Sequence, residues 1–210
     1  ERKKSYHESF RAPSARVLIV DDTRMNLIVV TEFLKDTLIR LDTAGGGREA
    51  IKLALANKYD VILMDQRMPG MDGTEAMNEI RGLGNKLNEK TPIICLTADV
   101  IRGARERYIA QGFDDYLTKP IDGHALEKMM LTYLPKEKVE LDEGPVEKED
   151  ETADESVKVL FAALAKAGVN TKAGMYFCQN DVDMYKSILS EYCSEQKTKL
   201  PNLQNCFENH

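Results

Sequence analysis

The sequence predicts an α/β protein, a parallel sheet covered by helices on both faces, with a smaller all-helical segment behind it. Three observations over residues 16–135 carry that prediction. Short apolar runs of strand length, among them VLIV at 17–20 and VILM at 61–64, alternate with stretches of helical periodicity, the pattern of repeated βα units. Gly45-Gly46-Gly47 and Gly70-Met71-Asp72-Gly73 interrupt the pattern where turns are required. The residues following the apolar runs are polar, and sheets of this kind gather their ligands at the carboxyl ends of the strands.

Taken in order, Arg16 to Val20 is the first predicted strand and Arg24 to Leu38 the first helix. At 100° per residue Asn26, Val29, Val30, Phe33 and Thr37 share the core side of that helix, while Ile28 falls opposite, among Arg24, Thr31 and Lys35. A weaker strand, Leu41 to Ala44, leads through the triple glycine into a helix from Arg48 to Asn57. Asp60 to Met64 is the third strand, followed by a helix over Thr74 to Arg81. Pro92 to Thr97 and Ile101 to Gln111 form the next strand and helix, then Asp115 to Thr118 and Gly123 to Tyr133, with Pro135 closing the last helix.

Composition narrows the function class. With 210 residues, 42% hydrophobic and 30% charged, the chain has material for a core in one ordinary domain and a smaller one. No apolar run approaches the roughly 18 residues needed to cross a bilayer, and no signal peptide precedes the domain, so no direct membrane contact is expected. The chain begins at Glu1 rather than Met, as a piece of a longer protein would. Cys95, Cys178, Cys193 and Cys206 form no C-x-x-C pair and His7, His124 and His210 are scattered, which argues against zinc and for reduced cytosolic thiols.

The net charge of −6 is concentrated in one place. Residues 136–155 hold ten acids against three lysines, so the remainder of the chain is close to neutral. With Gly144-Pro145 at its middle and few large apolar residues, this stretch reads as a solvated linker, an acidic binding tail being the alternative. Residues 1–15, with Arg2, Lys3, Lys4 and Arg11 and no periodicity, read as an N-terminal connector. No basic stripe with interleaved aromatics supports nucleic-acid binding.

The strand ends then supply the chemistry. The first strand runs into Asp21-Asp22, the third into Asp65, the fourth into Thr97-Ala98 and the fifth into Lys119-Pro120. Singly, each has a plain structural reading, since an Asp after a strand commonly caps the next helix. Jointly they place three carboxylates, a hydroxyl and an ammonium on one sheet edge. Adjacent like charges such as Asp21 and Asp22 favour a bound cation, and an all-oxygen set without imidazole or thiolate selects a hard one such as Mg2+. A magnesium site of few carboxylates keeps positions open for phosphate oxygens, with Lys119 and Thr97 beside it to bind a phosphoryl group and a carboxylate as nucleophile.

The segments VLIVDD, VILMDQRMPGMDG, PIICLTA and GFDDYLTKP, in that order over about residues 15–135, closely resemble the signatures of the response regulator receiver domain. The resemblance implies a flavodoxin-like doubly wound sheet of strand order 2-1-3-4-5, with Asp65 phosphorylated by a phosphohistidine donor and the domain catalysing its own dephosphorylation. It implies Mg2+ held by Asp22, Asp65 and the backbone carbonyl of Arg67, with Asp21 acting through water, and Thr97 and Lys119 on the phosphoryl group. Tyr116 is similar to the family's aromatic switch, though a tyrosine at a strand edge is more often half-buried core. The Lys119-Pro120 bond is expected to be cis. Phosphotransfer partners would dock near the first helix, on Leu27, Ile28 and Pro120, and Arg67 and Asp99 would flank the path of the attacking water and tune the phosphoryl lifetime.

Residues 156–210 have helical periodicity, with Met184, Ile188, Tyr192, Leu203 and Phe207 able to share one face. AGVNTKAGMYFCQNDVDMYKSILSEY resembles the opening of a histidine phosphotransfer domain, but the chain stops at His210, before an H-x-L-K-type motif. His210 is therefore not assigned as a phosphoacceptor. Pro201 should kink or start a helix. The whole resembles the carboxyl-terminal part of a cytoplasmic or membrane-anchored hybrid sensor histidine kinase without its kinase core, with dimerisation open. The rivals are a free-standing response regulator, a pseudo-receiver binding module, which should lack Asp65 or Lys119, and a haloacid-dehalogenase-type phosphatase, which spaces its two acids two positions apart after the first strand.

Overall fold

The computed structural model describes residues 10–99, 103–141, 155–178 and 181–208, which fall into two compact units treated separately below. Five strands, Arg16–Val20 (β1), Arg40–Ala44 (β2), Val61–Asp65 (β3), Ile93–Thr97 (β4) and Asp115–Thr118 (β5), form one parallel sheet in the order β2-β1-β3-β4-β5. Every residue of β3 and β4 is buried, as is all of β1 after Arg16, because helices cover both faces and a polar side chain has no wet side to reach. This is the predicted flavodoxin-like fold in the predicted order. The chain steps outward from β1 to β2 and then back across β1 to β3, so the direction of winding reverses between β1 and β3, directly above Asp21 and Asp65.

The connecting helices are Arg24–Phe33 (α1), Gly47–Ala56 (α2), Gly73–Arg81 (α3), Ala104–Gln111 (α4) and Gly123–Tyr133 (α5). The first is shorter than predicted. Its last turn becomes a separate 3-10 turn at Lys35–Thr37, where the buried Thr37 hydroxyl donates to the Leu34 carbonyl at 2.6 Å and Leu38 takes a left-handed conformation. Ile101, the predicted start of the fourth helix, lies outside the described residues, and α4 begins behind Gly103. At α3 the Asp72 carboxylate accepts from Glu75 N at 2.8 Å while Glu75 Oε2 accepts from Asp72 N at 3.0 Å, a complete capping box. Gly73 then passes so close to β3 that a Cβ there would collide with the Asp65 carbonyl oxygen.

The α/β unit is wider than residues 16–135, spanning Glu8–Asp142. Phe10–Arg11 pairs antiparallel with Glu140–Leu141, burying Phe10, and Lys138 reaches both carboxylate oxygens of Asp60 at 2.8 Å. Part of the connector and the first residues of the linker thus close the amino edge of the domain, because two remote segments supply each other's backbone hydrogen bonds. Residues 142–154 of the predicted acidic linker lie outside the described residues.

The second unit contains Glu155–Lys166 (α6), Thr171–Phe177 (α7) and Val182–Glu208 (α8). Phe161 and Tyr185 meet edge to face at 5.5 Å, and Gly174 leaves the space that the Tyr185 ring fills. Of the face predicted for α8, Met184 is buried and Ile188 half-buried, but Tyr192 is exposed. Leu203 and Phe207 lie outside the described side chains, and His210 outside the described residues. The helix runs through Pro201, so the proline does not start one; the missing N–H leaves one carbonyl of the preceding turn without its helical donor. No described helix is long and apolar enough to cross a membrane.

Candidate functional site

Three strand ends and one turn converge at the carboxyl edge. Asp21, buried directly after β1, accepts from Thr23 N and Asn26 Nδ2, both at 2.9 Å to Oδ1, so the first turn of α1 orients the carboxylate. Its Oδ2 meets Lys119 Nζ at 2.6 Å. Asp65, the last residue of β3 and also buried, pairs through Oδ1 with the same ammonium at 2.9 Å and lies 3.4 Å from Arg67 N. The Lys119 backbone is tied to β4, its N–H donating to the Thr97 carbonyl at 2.7 Å, and the Lys119-Pro120 bond is cis, as expected. Asp22 is exposed beside them.

Asp21, Asp22 and Asp65 each offer an oxygen within 4.8 Å of the others. One ammonium, paired with Asp21 and Asp65, stands among three clustered carboxylates, which leaves an excess of negative charge at two buried acids and one exposed one. Burial, reinforced by the Asp21 charge, pushes the Asp65 carboxyl above its ordinary range despite Lys119. For Lys119 burial pulls the other way, but the hydrogen bonds to Asp21 and Asp65 win and hold the ammonium charged. An all-oxygen donor set carrying surplus negative charge fits a small hard cation.

Thr97 closes β4 with its side chain buried. Its hydroxyl accepts from Asp99 N at 3.0 Å and shares a hydrogen bond of 2.7 Å with the hydroxyl of Tyr108 on α4. Tyr108 is itself buried, receives Arg107 Nη2 at 2.9 Å, and stacks on Tyr116, ring centroids 6.0 Å apart and planes 29° apart. Arg107 Nη2 also meets Asp99 Oδ2 at 2.7 Å, which holds the Asp99 carboxyl below the usual range. Arg67 also meets Asp99, at 3.7 Å, but the shorter partner of Asp99 is Arg107.

The sequence reading missed Tyr108 and Arg107. Ala104 and Tyr108, four apart and both buried, mark the inner face of α4, yet that spacing says only that Tyr108 is core. Ile28 differs from expectation too: it is half-buried, as is Leu27, whereas Arg24 and Lys35 are exposed as predicted. A helical side chain leans back over the preceding turn, so a large apolar residue on the outer face still covers part of itself. Pro120 is exposed and Tyr116 half-buried against the core.

A parallel sheet wound 2-1-3-4-5, with buried carboxylates at the ends of its first and third strands and a lysine after its fifth, defines a doubly wound protein with an acidic cluster at the carboxyl edge of its sheet. The family model of the response regulator receiver domain matches residues 17–131, more than half of the chain, and the protein belongs to that family. It is similar to the sensor protein GacS of Pseudomonas syringae pv. syringae, 38% identical over 126 residues, which are 60% of this chain and 14% of that one. The chain therefore spans about a seventh of that relative's length. Among solved structures it resembles the receiver domain of the sensor histidine kinase PA1611 from Pseudomonas aeruginosa PAO1, which has a magnesium ion coordinated in its active site cleft. Identity is 34% and TM-score 0.51, over 57% of this chain and 96% of that one. It also resembles the co-crystal structure of the Saccharomyces cerevisiae histidine phosphotransfer protein Ypd1 with the receiver domain of Ssk1. There identity is 27% and TM-score 0.52, over 66% of this chain and 97% of that one.

Proposed function

We propose that this domain accepts a phosphoryl group from phosphohistidine onto Asp65 and later hydrolyses it, within a hybrid sensor histidine kinase of the cytoplasmic phosphorelay type. The observation that carries the reading is the buried Asp65 carboxylate, held between the Lys119 ammonium and the acidic pair Asp21 and Asp22. Asp65 Oδ attacks phosphorus as the P–N bond breaks; the imidazole leaves with that electron pair and takes a proton. Lys119 has a donor ready for a phosphoryl oxygen, since its ammonium already sits against Asp65. Thr97 supplies a hydroxyl at the next strand end, and Tyr116 follows its state as the switch.

The donor set fits Mg2+. Asp22, Asp65 and the backbone carbonyl of Arg67 would hold it, with Asp21 acting through water, and the ion would supply charge neutralisation on the phosphoryl oxygens. Hydrolysis reverses the bonding: water adds to phosphorus, the acyl P–O bond breaks, and Asp65 is regenerated as a carboxylate. Arg67 and Asp99, paired at 3.7 Å, would flank that approach. Leu27, Ile28 and Pro120 form the docking patch for a phosphohistidine protein, a class that Ypd1 in the Ssk1 complex exemplifies. Helices α6 to α8 are read as the start of a histidine phosphotransfer module, on spacing alone. The adjacency of Asp21 and Asp22 disfavours a haloacid-dehalogenase-type phosphatase, and the presence of Asp65 and Lys119 disfavours a pseudo-receiver.

The test is chemical. Incubation with acetyl phosphate and Mg2+ should add one phosphoryl group by mass spectrometry, mapping to Asp65 and stripped by hydroxylamine. No adduct, or one stable to hydroxylamine, would refute the reading.

A further inference from the structure

The Thr97 hydroxyl has one proton to give, and a phosphoryl group on Asp65 would need it. The structure shows that hydroxyl already engaged. It accepts the Asp99 N–H at 3.0 Å and lies 2.7 Å from the Tyr108 hydroxyl, where either oxygen can be the donor. Tyr108 is 1% exposed and its ring packs against Phe113, edge-on at 6.2 Å, and against Tyr116, stacked at 6.0 Å, so burial keeps the phenol beside Thr97. Its oxygen receives Arg107 Nη2 at 2.9 Å and reaches Asp99 Oδ2 at 3.4 Å.

Two proton arrangements satisfy these contacts. In one, Thr97 donates to Tyr108 and Tyr108 donates onward to Asp99. That last link is long, and it ends on a carboxylate already paired with Arg107 at 2.7 Å. In the other, Tyr108 donates to Thr97, which leaves the threonine proton free to point into the acidic site. With a phosphoryl group present the second chain ends on a fresh anion, and hydrogen bonds aligned toward an anion polarise one another.

Resting on the phosphoacceptor reading, we propose that Tyr108 is a positioning residue for Thr97: it donates its hydroxyl proton to Thr97 when Asp65 is phosphorylated, which turns the threonine proton onto the phosphoryl group. No bond other than a hydrogen bond changes, and no proton leaves the chain of hydroxyls. Reversal also withdraws the Tyr108 proton from Asp99, so the phosphorylated state reaches the Asp99–Arg107 pair at the start of α4 through one buried hydroxyl. Stacking carries the same change to Tyr116.

The experiment compares wild type, Tyr108→Phe, Thr97→Val and the double variant in phosphorylation by acetyl phosphate with Mg2+. Tyr108→Phe keeps the ring and its stacking and should form the Asp65 adduct about three- to tenfold more slowly, the loss expected for one hydrogen bond. In the Thr97→Val background the same change should have no further effect, because there is no hydroxyl to position. The tyrosine ring 13Cζ resonance of Tyr108, which reports whether its hydroxyl donates or accepts, should shift when beryllofluoride and Mg2+ are added to wild type. An unchanged rate in Tyr108→Phe, an equal loss in both backgrounds, or a stationary 13Cζ resonance would each overturn the proposal. The resonance decides alone if Tyr108→Phe does not fold. A wild-type chain that takes no adduct at all would instead overturn the phosphoacceptor reading itself.

Discussion

Lys119 Nζ lies 2.9 Å from Asp65 Oδ1, so an ammonium on the turn after the last strand of the sheet is held directly against the carboxylate that ends the central one. Asp65→Asn keeps the shape of that contact and removes the nucleophile. The variant should fold, bind Lys119 through its amide oxygen, and show no hydroxylamine-labile adduct by mass spectrometry. Phosphorylation at the wild-type rate would place the acceptor elsewhere.

Arg67 and Arg107 share Asp99, at 3.7 and 2.7 Å. Exposed pairs contribute little to stability, about 1 kcal/mol or less, but about 1 kcal/mol at the transition state for hydrolysis changes its rate roughly fivefold. Arg67→Ala and Asp99→Ala should each shorten the lifetime of the acyl phosphate, Asp99→Ala more because it releases both arginines. Decay of the adduct after desalting measures this, and the double variant should lose less than the product of the single effects.

Ile28 on α1 keeps part of an apolar side chain at the surface beside the acidic edge. Ile28→Lys should slow transfer from a phosphohistidine protein about tenfold while leaving phosphorylation by acetyl phosphate unchanged, since the small donor needs no docking surface. Equal rates with both donors would move the docking patch away from α1.

Gly73 has no room for a side chain, because a Cβ would meet the backbone carbonyl of Asp65 rather than a movable side-chain end. Gly73→Ala must push α3 off β3 and should cost about 1–3 kcal/mol in urea unfolding. It should also displace Asp65 and slow adduct formation; wild-type stability would mean the capping box at Asp72 shifts freely.

At the opposite edge Asp42 accepts from Arg16 Nε and Tyr59 Oη, both at 2.7 Å. Burial works to raise the Asp42 carboxyl, yet these two donors outweigh it and hold it below its ordinary value, while burial with the Asp42 contact drives the Tyr59 phenol up to about 12. A depressed carboxyl contributes stability above its unfolded value and loses it as pH falls through the lower folded value. Asp42→Asn should therefore be less stable near neutrality, and the gap should close in acid only as pH falls below the ordinary Asp value of about 3.9, in denaturation midpoints followed against pH.

The sequence by itself determined the sheet and its acidic edge. Strand periodicity places whatever follows each apolar run at the carboxyl ends, so Asp21, Asp22, Asp65, Thr97 and Lys119 were legible as neighbours before any distance was known, and the structure brings the three carboxylates and the lysine together. Only tertiary structure decided the rest. Which oxygen faces the Thr97 hydroxyl depends on how α4 is rotated against β4 and β5, and a burial pattern through Ala104 and Tyr108 carries no record of hydrogen-bond partners. The closure of the domain by Phe10 and Leu141 is a pairing of segments far apart in the chain, each of which read alone as polar connector. Local pattern reports the face a residue occupies; it is silent on the partner that packing brings to that face, because the partner comes from a different part of the chain.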